Sequence, residues 1–210
     1  MIKKNLPILI TTSIIILLPI LAGLLLWDQL PDAVPNHWNA AGEVDGYSSK
    51  PFAVFAMPLL LLLLHWFAVI VTQTDPKKQN QSEQVKILVF WLLPATSLLV
   101  NLFSYSAALG KSLRVETIMP IFMGLLFMVI GNYLPKCKQN YTVGIKLPWT
   151  LHSEENWNKT HRLAGWIWVG GGLICAITGF LGEFLLCIPV LLVMGLVPMI
   201  YSYALYKKGV

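Results

Sequence analysis

Charge is scarce in this chain. Asp, Glu, Lys and Arg make up 12% of its 210 residues and hydrophobic residues 56%, against a charged share of about 25% in ordinary soluble domains. Cysteine is scarce as well: Cys137, Cys175 and Cys187 are an odd number without metal-ligand spacing, which argues against a disulfide framework and a zinc site and leaves thiols that pack as small apolar groups. No internal repeat is visible, so the inverted-repeat mark of many secondary transporters is missing. No stretch is long enough for a soluble domain either. The longest connections, 28–51 and 135–162, are too short to enclose a core. Around Ala22-Gly23 there is no A-x-A cleavage pattern and no lipobox cysteine, so the long apolar run behind Lys3 and Lys4 is expected to stay as a helix.

Long apolar runs are what the sequence does have. Six can be marked, at about 6–27, 52–72, 86–109, 115–134, 163–181 and 184–206, each able to cross a hydrocarbon layer of about 30 Å. The expected fold class is all-α: an integral membrane bundle of six transmembrane helices forming one polytopic domain over 1–210. Lys and Arg near helix ends tend to stay cytoplasmic. With the N-terminus inside, the inner side holds twelve of the fifteen basic residues, and Lys50, Lys111 and Arg114 fall outside. Both termini are therefore expected in the cytoplasm, and the net charge of +5 reads as an insertion signal, with no direct nucleic-acid contact.

The outer loop 28–51 carries four acids, three prolines and two glycines, which predicts a compact, turn-rich segment. Trp38 and Tyr47 fit an interfacial aromatic belt with His37 bonded beside them; the sharper alternative is a cap that touches a ligand through His37, Trp38, Asn39, Asp45 and Tyr47. A metal on His37 with Glu43 or Asp45 has too few ligands to be a specific signal, and no metal or cofactor is expected. The second loop, QTDPKKQNQSEQVK, reads as a solvated turn without chemistry. Inside the spans, His65, Asn101, Ser104, Ser106, Glu116 and Asn132 are read first as interhelical hydrogen bonds, and His65 and Asn101 second as the lining of a small transporter or channel. In LAGWIWVGGGLICAITGFLG, Gly171, Cys175 and Gly179 recur every four residues, a small-residue face for close packing of span six or of a second protomer in a homodimer.

The inner loop is polar beyond need. In GIKLPWTLHSEENWNKTHRLAGW, Ser153 is a candidate N-cap with Glu154 and Glu155 in the first turn, so a helix is expected to start there and run into span five. Trp157, His161, Ala164 or Gly165, and Trp168 then share one face, and Glu155 and Lys159 form a favourable i, i+4 pair. An amphipathic juxtamembrane entry lying on lipid accounts for the helix. It does not account for Gly144 and Pro148, which force a defined non-helical path beforehand. An enzyme built on His152, Glu154, Glu155 and His161 is not expected, because the two histidines stand nine residues apart and not one helical turn apart as in H-E-x-x-H.

GNYLPKCKQNYTVGIKLPWTLHSEENWNKTHRLAGW resembles the signature of the SdpI-type immunity proteins of Gram-positive bacteria, a Gly-Ile-Arg-Thr-Pro-Trp-Thr-Leu run followed by a Trp and a His-Arg or Asn-Arg pair entering a glycine-rich helix. LPDAVPNHWNAAGEVDGYSSK resembles the N-terminal module of many of these proteins. Lys146 and Leu147 depart from the common Arg and Thr, and Lys lacks the bidentate fork of Arg. The resemblance implies a two-helix module at 1–72, an SdpI-like module at 115–206, and a non-enzymatic role: protection against a secreted, membrane-active toxin peptide (SdpC-like). It also implies a sensor role that holds a cytoplasmic transcriptional repressor at the membrane. The inner residues it marks, as clamp or partner surface, are Gly144, Lys146, Pro148, Trp149, Thr150, Trp157, His161 and Arg162.

Overall fold

The computed structural model describes residues 2–39, 41–111 and 113–210, the side chains of residues 2–4 excepted. Six helices among these residues are long and apolar enough to cross a membrane. In chain order the elements are α1 (Ile2–Leu25), β1 (Ala33–Trp38), β2 (Val44–Ser49), α2 (Met57–Thr74), α3 (Glu83–Ala108), α4 (Val115–Tyr133), the short α5 (Pro148–His152), α6 (Glu154–Leu181) and α7 (Cys187–Lys207). The chain is a multi-pass, all-α membrane protein apart from one hairpin. Its spans expose Leu63, Phe67, Phe180 and Leu181 by two thirds or more, as lipid-facing side chains should be. Two compact units divide it. One runs from the N-terminus to Gln73 and resumes over Lys86–Val115; the other comprises Thr74–Val85 and Glu116–Val210.

The first unit holds its helices together with side-chain bonds, since lipid offers helices no hydrophobic reason to associate. His65 Nε2 of α2 lies 2.9 Å from Thr12 Oγ1 of α1, and Trp66 Nε1 donates to Ser13 Oγ at 3.0 Å. From α3, Ser97 Oγ donates to Ile16 O at 3.0 Å and Tyr105 OH to Pro19 O at 3.1 Å. Contacts of this kind contribute about 0.6–2 kcal/mol each. Asn101 Nδ2, in contrast, bonds within its own helix, to Ser97 O.

The turn-rich loop of the first unit is a β-hairpin, which the sequence did not announce. β1 and β2 are antiparallel, pairing Val34 with Ser48, Pro35 with Tyr47 and Trp38 with Val44, and the register slips between Pro35 and His37 and again between His37 and Trp38. The irregularity beside Pro35 has a cause: proline has no N–H to give to a ladder and is tolerated at bulges and edges.

In the second unit, α6 begins where expected. Ser153 accepts from Asn156 N, and Lys159 pairs with Glu155 at 2.6 Å. The glycine-rich face has two neighbours, not span six alone. A methyl at Gly171 would strike Met194 and Val190 of α7, one at Gly179 would meet Thr117 O and Pro120 of α4, and Gly172 lies against Gly124 of α4. Cys175 is buried, and Cys187 Sγ of α7 lies 3.9 Å from its carbonyl. Within the chain, α4 and α7 thus approach the glycines of that face.

Candidate functional site

Two places gather the residues marked in the sequence. The first lies in the second unit, where residues 137–152 fold back as a loop held by side chains. Asn140 is its pin. Fully buried, it accepts from Val143 N at 2.7 Å and Thr142 N at 2.9 Å, and its amide donates to Lys138 O at 2.9 Å and Val143 O at 3.0 Å. One side chain thus replaces the backbone bonds that an irregular segment lacks. Lys146 Nζ closes the exposed side by donating to Thr142 O at 2.9 Å.

Gly144 follows at φ +124, and a Cβ there would lie 2.5 Å from His161 Nε2 and 2.9 Å from the Trp157 ring. Trp157 and His161 are stacked, with ring centroids 4.0 Å apart, and both are buried. Their hydrogen bonds determine the imidazole tautomer. Trp157 O can only accept, so His161 Nδ1 donates to it at 2.8 Å; Ile145 N can only donate, so Nε2 accepts from it at 2.9 Å. Both nitrogens of a neutral ring are used. Trp157 Nε1 meanwhile donates to Cys137 O at 2.7 Å. Burial pushes the Cys137 thiol above its ordinary pKa, and the Asn140 contact opposes this in part.

The rest of the signature builds α5. Pro148 occupies its first turn, where no N–H is needed. Thr150, buried, accepts from Leu147 N at 2.9 Å and has Ile145 O at 2.9 Å. Trp149 packs on α7, stacked on Tyr206 at 5.7 Å and edge-on to Tyr203 at 5.4 Å, while its buried indole N–H has no partner among the described residues. Arg162 is exposed, and no acidic partner for it is present among the described residues.

The second loop corrects the expectation of a solvated turn. Asp75 and Gln81 are buried. The Asp75 carboxylate accepts from Tyr141 N and Thr142 Oγ1, each at 2.9 Å, and from Lys77 N at 2.7 Å. Gln81 donates to Thr142 Oγ1 at 2.8 Å, and Asn80 to Gln139 O at 2.8 Å. Gln139 passes the connection on, donating to Thr150 O at 2.9 Å and Leu151 O at 3.0 Å. The two loops form one latch. Asn156, fully buried, adds α7 to it by donating to Ser202 O and accepting from Ser202 Oγ.

The second place is the hairpin of the first unit. His37 Nδ1 lies 2.5 Å from Asp45 Oδ1 across the strands, with both side chains well exposed. Asn39 shapes the turn: its Oδ1 accepts from Ala41 N at 2.9 Å and Glu43 N at 3.0 Å. Trp38 turns inward, edge-on to Phe103 of α3 at 6.2 Å, whereas Tyr47 points out and is 61% exposed. A cavity of about 270 Å³ lies between hairpin and α3, walled by Trp38, Val44, Phe103 and Leu113. Among the described residues no cluster of three His, Cys, Asp or Glu groups could hold a metal.

Helices, hairpin and latch define a multi-pass membrane protein whose conspicuous polar residues serve two connecting segments. Residues 136–202, which hold the latch loop and α6, match the SdpI/YfhL protein family, and residues 14–62 match a domain of unknown function, DUF1648. Over 213 residues the chain is 26% identical to Immunity protein SdpI of Bacillus subtilis (strain 168), covering 98% of this chain and 97% of that one. These similarities bear out the resemblance to the SdpI-type family. No solved structure matches the chain.

Proposed function

We propose that this chain is an immunity protein that protects a Gram-positive cell from a secreted, membrane-active peptide of SdpC type. The observation that carries this reading is the similarity to an immunity protein over 98% of the chain. In the proposed orientation both termini are cytoplasmic and the hairpin faces outward, where such a peptide arrives. Tyr47 and the His37–Asp45 pair then form the accessible contact surface, Trp38 and Asn39 hold its shape, and the cavity beside Phe103 accepts an apolar side chain of the peptide.

On the inner side, the half-buried Gly144 and the buried Thr150, Trp157 and His161 act as supports. Lys146, Pro148, Trp149 and Arg162, exposed or partly so, form the face for a cytoplasmic repressor in a sensor role. Binding tests the outer half directly: labelled SdpC-type peptide is titrated onto the full-length protein in nanodiscs. Tyr47→Ala and His37→Ala should weaken binding about tenfold or more while the protein remains folded; equal binding to empty nanodiscs would refute a peptide site on the protein.

A further inference from the structure

A crevice of about 320 Å³ runs between α1 and α3 within the first unit. Leu18, Ala22 and Leu26 form one wall and Leu98, Leu102 and Leu109 the other. From Leu98 to Leu109 it extends about 16 Å at the 1.5 Å rise of a helix. Of the polar side chains along it, Tyr105 OH donates to Pro19 O and Asn101 Nδ2 to Ser97 O, which leaves Ser106 and Lys111. The rest of the lining is apolar.

One end of this crevice is different. α3 stops in a Schellman turn, in which Lys111 N donates to Ser106 O at 2.8 Å and Gly110 N to Ala107 O at 3.0 Å, with Gly110 at φ +71. That turn is the usual way to end a helix at a glycine. It brings Lys111 into the lining just beyond Leu109. Lys50 has both Trp27 O and Asp32 for its ammonium, whereas Lys111 is exposed with no acidic partner among the described residues.

We propose that this crevice is a binding site for one anionic phospholipid, its acyl chain lying between α1 and α3 and its phosphate paired with Lys111. A slot lined by leucine excludes a polar ligand, and an unpaired ammonium at its mouth selects a negative headgroup. The site does not depend on the immunity role.

The test uses the full-length purified protein and native mass spectrometry, with phosphatidylglycerol and phosphatidylcholine of identical acyl chains as probes and glycerol phosphate as the free anion. The wild type should retain one phosphatidylglycerol about fivefold more tightly than phosphatidylcholine, as one surface cation provides. Lys111→Glu should abolish that preference, and Leu102→Trp, which fills the crevice from its lipid side, should weaken both lipids. Equal affinity for the two lipids, an unchanged preference in Lys111→Glu, or displacement by glycerol phosphate alone would overturn the site. If Leu102→Trp does not fold, Lys111→Glu at an exposed position still decides.

Discussion

Replacing Gly144 by alanine should open the latch loop. At φ +124 the new methyl would lie 2.5 Å from His161 Nε2 and 2.9 Å from the Trp157 ring. The backbone conformation costs a non-glycine residue about 1–3 kcal/mol, and forcing a methyl into a filled site costs a further 1–3 kcal/mol or so. The sum, about 2–6 kcal/mol, is not relieved by moving His161, because that would break its bonds to Ile145 N and Trp157 O. Cys137, buried beneath the loop at 3% exposure, reports the opening. Where labelling follows a local opening equilibrium, a 2 kcal/mol loss corresponds to roughly 30-fold faster maleimide modification, at a tenfold change per 1.4 kcal/mol. The rate is read at Cys137 by peptide mass spectrometry in membranes. Gly170→Ala, with no atom within 4 Å of its new methyl, is the control and should leave the rate unchanged. Equal rates in Gly144→Ala and wild type would refute the packing argument.

Other outcomes follow from the same contacts. Asn140→Asp removes the amide that donates to Lys138 O and Val143 O and should destabilise the second unit by about 2–4 kcal/mol in detergent melts. Asp75→Asn retains one acceptor oxygen where the carboxylate uses both, so Cys137 labelling should accelerate without any change in the hairpin. Trp149→Phe keeps the rings against Tyr203 and Tyr206 and discards an unpartnered N–H, so its melting temperature should equal or exceed that of wild type, while Trp149→Ala should fall below it. The raised Cys137 thiol adds a pH dependence. Both states carry the proton below the ordinary thiol pKa of 9.0; above it the unfolded state ionises first, so stability should decline, and Cys137→Ala should flatten the decline.

The spans and the helix start were legible because hydropathy and capping are local signals: the apolar runs needed only a count, and Ser153 with two following acids announced α6. The Trp157–His161 stripe was legible too, since helical spacing alone places both on one face. The hairpin was not. Its strands are six residues each, interrupted by Pro35 and slipped in register, so no clean alternation marks them. The second loop was missed for another reason: Asp75 and Gln81 act on residues 141 and 142, more than sixty positions away. Polar side chains bonded over that distance leave no period in the sequence, and an Asp-Pro after an apolar run reads as an ordinary turn. The glycine face of α6 announced close packing, but spacing cannot say which helix approaches; α4 does so with its own Gly124 and Gly131.

Survival under toxin challenge addresses the immunity role most directly. A sensitive Gram-positive host expressing the chain is exposed to purified SdpC-type peptide while growth and membrane potential are followed. Cells with the wild-type protein should keep their potential and grow, and cells with Tyr47→Ala at equal membrane abundance should lose both. Collapse of the potential in every strain, wild type included, would contradict protection against this class of toxin.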